Sequence, residues 1–197
     1  MDWLRSRDVP VPPYQTCHRD DVLRVAREIG FPNVIKADSK ETHISDAGGV
    51  ILNLRTEADV TAAAGQIAAL PGDRVIVMRF TPGQEIVAGT FIHAHLGVTL
   101  MVGSGGQWVE LLNDVRFVSL PATLDELSRA LAGTTIGGAL KSGLRGASGF
   151  DAAVAFLGRL ASAAVEHCDH IAQIELNPVT VGKHGATAVD AAVFAKV

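Results

Sequence analysis

At 197 residues the chain is long enough for one sizeable core or two small ones, and 48% apolar residues supply the material. A formal net charge of −4, with no dense run of Lys and Arg, argues against nucleic acid as a partner but leaves room for a small polyanion held by a few focused cations. No apolar run approaches the ~18 residues of a membrane span, no secretory stretch opens the chain, and Cys17 and Cys168 form neither a framework nor a CxxC pair, so a reducing, cytoplasmic setting away from membranes is expected.

Residues 1–16 read as a linker or edge segment, because Pro10, Pro12 and Pro13 block regular pairing. Val22, Val25, Ala26 and Ile29 then recur at helical spacing ahead of Gly30, a good terminator. NVIKA (33–37) and GVILNL (49–54) read as strands. A helix opened by the Thr56 cap follows and closes at Pro71-Gly72. RVIVMRF (74–80) is a strand, and QEIVAGTFIHA (84–94) with LGVTLMVGSGG (96–106) makes a long hairpin leading into a glycine-rich turn. Helices are expected over 122–133 and 150–168, with the glycine-rich stretch 132–143 read as a flexible loop near a cleft. The C-terminal segment reads as two strands around a tight turn. Pro71-Gly72 and Pro82-Gly83 frame a hinge between two α+β halves, 17–80 and 81–197. The many hairpins, and the lack of a GxGxxG after the first strand, disfavour a Rossmann sheet.

Two stretches carry candidate chemistry. If the last turn is Gly182-Lys183-His184-Gly185, Val181 faces Ala186 and two-for-two counting sets Asn177 opposite Asp190. Glu175 shares that face, because strand side chains alternate. Hard oxygens of this kind suit Mg²⁺; a plain edge hairpin with polar residues toward solvent explains the same pattern. The second stretch, KADSKETHISDAGGVILNL (36–54), places Lys36 at the end of a β-branched run and closes a polar loop with Gly48-Gly49. Lys36 there is a fixed cation for nucleotide phosphates, and glycines let backbone N–H groups approach phosphate oxygens; a surface hairpin with a snorkelling lysine is the competing account. His43, at the loop tip, is either a solvated residue or a phosphoryl acceptor, since neutral imidazole is a good nucleophile near neutral pH.

Five further histidines read as hairpin surface, helix-end or turn residues. His93 and His95 alternate on a strand without a third ligand, His167 and His170 flank Cys168 at a helix end, and His184 belongs to a turn. Arg145, between glycines in GLRGASG, either contacts phosphate or organises a loop.

Five motifs in order resemble one family. They are IGFPNVIKADSKETHISDAGGVILNL (29–54), MVGSGGQWVELLNDVRF (101–117), LKSGLRG (140–146), the hairpin IELNPVTV with its AVDA, and the leading VPVPPYQ. Together they resemble the ATP-grasp domain of ADP-forming acyl-CoA synthetases of the acetate–CoA ligase kind, related to the β subunit of succinyl-CoA synthetase. The resemblance implies an α+β ATP-grasp fold, two α+β subdomains with the nucleotide site between them. It implies that Lys36 contacts the phosphates of ATP or ADP, that the backbone of Val77, Met78, Arg79 and Phe80 holds adenine, and that Glu85 lies close to the nucleotide. Asn177 and Asp190 would hold Mg²⁺, and Glu175 would face a phosphohistidine brought in by a CoA-binding partner subunit or domain. In this family the phosphoryl group then passes to a second histidine, at whose position His43 stands, and on to ADP. The family commonly carries a basic residue, a proline, Gln-x-Met and an arginine where this chain has Ile44, Lys40, Met78-Arg79-Phe80 and Val118. The altered hinge and the missing arginine favour a rival, a non-catalytic nucleotide-sensing or scaffolding module, whereas the retained Lys36, His43, Glu175, Asn177 and Asp190 favour catalysis.

Overall fold

The computed structural model describes residues 1–38, 48–106 and 114–196, apart from the Arg145 side chain. The chain forms two compact units, one of residues 12–80 and one of residues 1–11 with 81–197. No helix among the described residues is long and apolar enough to cross a membrane.

In the smaller unit the elements are β1 (Tyr14–His18), α2 (Val22–Ile29), β2 (Asn33–Ala37), β3 (Val50–Leu54), α3 (Glu57–Ile67) and β4 (Arg74–Arg79). The strands form an antiparallel sheet in the order β1-β4-β2-β3. Helix α2 is amphipathic, and Val22, Val25 and Ala26 are buried against Ile35, Ala37, Val75 and Val77 of the sheet. Helix α3 adds Val60, Ala63 and Ile67 to that core. A capping box starts it: the Thr56 hydroxyl accepts from the Asp59 N–H, and the Asp59 carboxylate accepts from the Thr56 N–H. Arg27 on α2 meets Glu57 on α3 in a two-pronged pair of 2.8 and 2.6 Å; at an exposed site it orients the helices more than it stabilises them. The entry and exit of this unit lie side by side, since the Arg79 N–H donates to the Pro13 carbonyl at 2.8 Å.

The larger unit begins with a helical turn, α1 (Asp2–Arg5), and continues with β5 (Gln84–His93), β6 (Gly97–Ser104) and β7 (Val115–Ser119). Three helices follow, α4 (Leu124–Ala132), α5 (Thr135–Ser142) and α6 (Phe150–Glu166), then β8 (Ile171–Gly182), β9 (Gly185–Ala188) and β10 (Ala192–Ala195). The sheet order is β10-β8-β5-β6-β7, and β9 pairs with β8 beyond β10. One face of the sheet, with Ile86, Ala88, Leu100, Val102, Ile174 and Leu176, is buried with the helices in a single core. Helix α6 meets it through Ala153, Phe156, Leu157, Leu160, Ala161 and Ala164, the i, i+3, i+4, i+7 stripe its sequence lays down.

Several expectations change. Residues 1–16 divide: 14–16 enter edge strand β1, whereas Leu4 and Val9 are 0% and 1% exposed in the larger unit's core. The Ala188 N–H donates to the Pro10 carbonyl, and an Arg159 guanidinium N–H to the Asp8 carbonyl, so this segment is anchored. The stretch 132–143, expected as a flexible loop, contains α5. Thr134 caps it, accepting from the Gly137 N–H at 3.0 Å, and Gly137 is required because a Cβ there would run into the Leu131 carbonyl. The glycines that suggested flexibility therefore serve close packing. His93 and His95 do not share a strand face: His93 ends β5 and its Nδ1 accepts from the His95 and Leu96 N–H groups, each at 3.2 Å, closing the turn to β6. His167 ends α6 and meets the Trp3 ring edge-on at 5.7 Å. The C-terminal segment gains a third strand, β10.

Candidate functional site

The last hairpin has the register its sequence indicates, with Val181 opposite Ala186 and Gly182 opposite Gly185. Beyond the interruption at 189–191 the pairing resumes on the same count, Ala192 opposite Glu175. Asn177 and Asp190 are thus matched across β8 and the segment joining β9 to β10. Ile174 and Leu176 are buried on the helix side, so Glu175 and Asn177 project from the open face, and both are exposed. Asp190 is half-buried, and its Oδ1 accepts from the Ala191 N–H at 3.0 Å.

Glu85 and the Gly105-Gly106 pair reach the same end of the sheet. The Gly105 N–H donates to the Glu85 carbonyl at 3.0 Å, and the Gly106 N–H donates to Asn177 Oδ1 at 3.4 Å. Gly106 has φ +74°, and a Cβ on it would collide with the Glu85 carboxylate. A bare backbone is what lets Glu85, Gly106 and Asn177 converge. Among the described residues no three His, Cys, Asp or Glu side chains form a metal-binding group. The donor set here is instead an amide oxygen and one carboxylate with Glu175 nearby. That suits a hard cation that completes its shell with phosphate and water.

Sequence reasoning assigned no role to Asp114. Its carboxylate accepts from the Ser104 hydroxyl at 2.6 Å and from the Thr135 N–H at 2.8 Å, at the first turn of α5, while its carbonyl accepts from the Ser104 N–H at 3.2 Å. Burial pushes this carboxyl group's pKa up. The Ser104 and Thr135 hydrogen bonds, helped by the Arg116 charge, outweigh it and hold the group below the ordinary carboxylate range. Asp114 ties the end of β6, the start of β7 and the N-terminus of α5 together, directly beside Gly105-Gly106. The signal that could have exposed it was an Asp directly ahead of the VRFVS strand, paired with a Thr-Thr helix start.

In the smaller unit, Asn33, Ile35 and Ala37 are buried on β2 while Val34 and Lys36 turn to the other face. Cross-strand pairing adds Thr16, Val50, Ile76 and Met78 to that face. Of the four expected hinge positions, Met78 shares the Lys36 face, but Val77 is fully buried in the helix-backed core. The N–H donors of Arg79 and Phe80 are engaged by the Pro13 and Pro32 carbonyls, at 2.8 and 2.9 Å. The Arg79 guanidinium donates to the Ile29 carbonyl at 3.3 Å. Within the expected hinge, 77–80, strand β4 is interior to its sheet, paired with β1 on one side and β2 on the other. Gly49 is buried, its carbonyl accepting from the Ala37 N–H at 2.8 Å, and Gly48 is exposed at φ +75°. His43 lies outside the described residues, as does the Arg145 side chain; the Arg145 backbone forms a short 3₁₀ turn, Leu144–Gly146.

Comparison with known proteins identifies this assembly of elements. A family model described as ATP-grasp domain matches residues 1–194. The β subunit of acetate–CoA ligase [ADP-forming] I from Pyrococcus furiosus is 30% identical over 206 residues, which cover 95% of this chain and 86% of that subunit. Acetate–CoA ligase [ADP-forming] II of Archaeoglobus fulgidus is 34% identical over 178 residues, and there the match spans only 26% of the relative's length. Among solved structures, the dinucleotide-forming acetyl-coenzyme A synthetase 1 of Ca. Korarchaeum cryptofilum, in complex with coenzyme A and Mg-AMPPCP, superposes with a TM-score of 0.84 at 32% identity, covering 98% of this chain and 88% of that one. Its phosphohistidine segment points towards the nucleotide-binding site. With its fold, its motif order and these relatives in agreement, the chain belongs to the ATP-grasp family, alongside the β subunits of ADP-forming acetate–CoA ligases.

Proposed function

We propose that the chain is the nucleotide-binding component of an ADP-forming acyl-CoA synthetase, moving a phosphoryl group reversibly between ATP/ADP and a histidine. The observation that carries this reading is the convergence of Glu85, Gly106, Asn177 and Asp190 beside Glu175 on one open sheet face, in a chain of ATP-grasp type. Asn177 and Asp190 hold Mg²⁺, which when bound neutralises phosphate charge. Lys36 contacts the phosphates, helped by the N–H groups of Gly48 and Gly49, and Met78 lines the base site. Val77, Arg79 and Phe80 support that strand from within. Glu85 orients the nucleotide, and Arg145 adds a cation for phosphate. The two compact units are the two subdomains of the fold.

A CoA-binding subunit or domain supplies the first phosphohistidine and makes the acyl phosphate. His43 takes the phosphoryl group: the N–P bond on the partner's ring breaks as a new one forms on the His43 ring. That bond breaks in turn as a β-phosphate oxygen of ADP is phosphorylated. Chemistry of this kind is mostly positioning and electrostatics, which suits fixed cations and backbone N–H groups. The protein works in the reducing cytoplasm, consistent with the free thiols of Cys17 and Cys168.

The altered Met78-Arg79-Phe80 strand, with its donors already engaged, is the observation that favours a nucleotide-sensing module without turnover. Titrating ATP with and without Mg²⁺ separates the readings first. Asn177→Ala and Asp190→Ala should each abolish the Mg²⁺ enhancement of nucleotide affinity; an enhancement that survives both refutes the metal assignment. Labelled ATP should leave acid-labile phosphate on His43, and its absence in the presence of a competent CoA-binding partner refutes the relay.

A further inference from the structure

We propose that Gln173 is a positioning residue, holding the Glu175 carboxylate in register for the histidine it meets. The proposal rests on the reading of Glu175 given above. Gln173 Nε2 donates to Glu175 Oε1 at 2.6 Å, a short bond between two residues one step apart on the open face of β8. Such a bond ties up one carboxylate oxygen and leaves Oε2 to accept from an incoming ring N–H.

The neighbours of the two residues differ in a way that assigns each a task. Across the ladders Gln173 stands opposite Phe91 on β5 and Phe194 on β10, so its amide is framed on both sides by aromatic residues. Glu175 stands opposite Gly89 and Ala192, which put almost no side chain on the face beside it. The carboxylate is therefore open laterally and restrained lengthwise. Beyond Gly89 the face continues to Met101 and Phe117, and the Phe117 ring meets Phe91 edge-on at 6.1 Å. An imidazole can lie over the Gly89–Ala192 floor with its N–H on Oε2. Holding that N–H keeps a phosphorylated ring in its protonated form, from which the phosphoryl group leaves as neutral imidazole departs with its N–H retained. Without the Gln173 bond, an exposed glutamate samples several rotamers, and the aimed fraction falls.

The test uses the full chain with Mg²⁺, ADP and N-phosphoimidazole as the phosphohistidine stand-in, and measures ATP formation in wild type, Gln173→Leu, Glu175→Gln and the double variant. Gln173→Leu should lower kcat about 3- to 10-fold, the worth of one exposed charge-assisted hydrogen bond, and leave the KM for ADP in place. The double variant should match Glu175→Gln alone, because Gln173 acts only through that carboxylate. A Gln173→Leu rate equal to wild type, a multiplicative loss in the double variant, or a change confined to the KM for ADP overturns the positioning role while the transfer reading stands. Absence of ATP formation by wild type overturns the transfer reading, and the positioning role with it.

Discussion

Replacing Asp114 by Asn tests whether one carboxylate organises the glycine turn and the start of α5. The substitution keeps the shape and one acceptor oxygen but removes the charge that the Ser104 hydroxyl at 2.6 Å and the Thr135 N–H at 2.8 Å both address. Hydrogen bonds to a charged acceptor contribute about 1.5–3 kcal/mol each when shielded from water. This site is half-exposed and the amide recovers part of one bond, so the net loss should be about 1–2 kcal/mol. The sign with pH follows from the direction of the shift. The folded-state pKa lies below that of the unfolded chain, so the stabilisation is complete above the ordinary carboxylate range, near about pH 4, and is lost as pH falls through the lowered folded value. Urea unfolding of both proteins should therefore show a gap of about 1–2 kcal/mol at neutral pH that narrows steadily with acidification below about pH 4. A gap under about 0.3 kcal/mol at neutral pH, or one that persists unchanged in acid, refutes the reasoning.

Two glycine substitutions separate packing from site geometry. Gly137→Ala should destabilise the larger unit by about 3 kcal/mol or more in urea unfolding, because the obstructing atom is the Leu131 backbone carbonyl and cannot swing away. Gly106→Ala should instead cost about 1–2 kcal/mol in stability from its positive φ and displace the Glu85 carboxylate, so that Mg²⁺-dependent nucleotide affinity falls about tenfold in calorimetric titration. Unchanged affinity in that variant would mean that Glu85 and Asn177 do not depend on the Gly106 backbone.

Local signals were sufficient wherever a pattern repeats over one element. The α6 stripe from Ala153 to Ala164 and the Thr56 cap are written in consecutive residues, and the turn at 182–185 sets the hairpin count for everything beyond it. What could not be read needs a partner from outside the element itself. Gly137 looks like a loop residue until Leu131 is placed against it, and Gly106 looks like turn material until Glu85 is there. The hinge role of 77–80 is implied by family resemblance and not by the residues themselves, and sequence gives no indication that β4 will have strands on both sides. Residues 1–11 carry Leu4 and Val9 without a recognisable period, so their burial follows from tertiary docking alone. Gln173 offered no signal at all, since a glutamine two residues before a glutamate is ordinary on an exposed strand face.

The smaller unit, bounded at 12 and 80 and pinned where Arg79 meets Pro13, has a consequence for the order of events on the ribosome. All the strands and helices of 12–80 have been synthesised before Thr81 is added, so this unit can close as soon as it clears the exit tunnel. Residues 1–11 emerge earlier but must wait: Pro10 bonds Ala188, and Leu4 and Val9 enter a core built from residues beyond 85. Their apolar side chains lack those partners while residues 12–80 are being made, with a compact body formed in the chain between them and the segments they join. The larger unit therefore folds by a long-range closure across an already folded insert, and is expected to form more slowly than the smaller one.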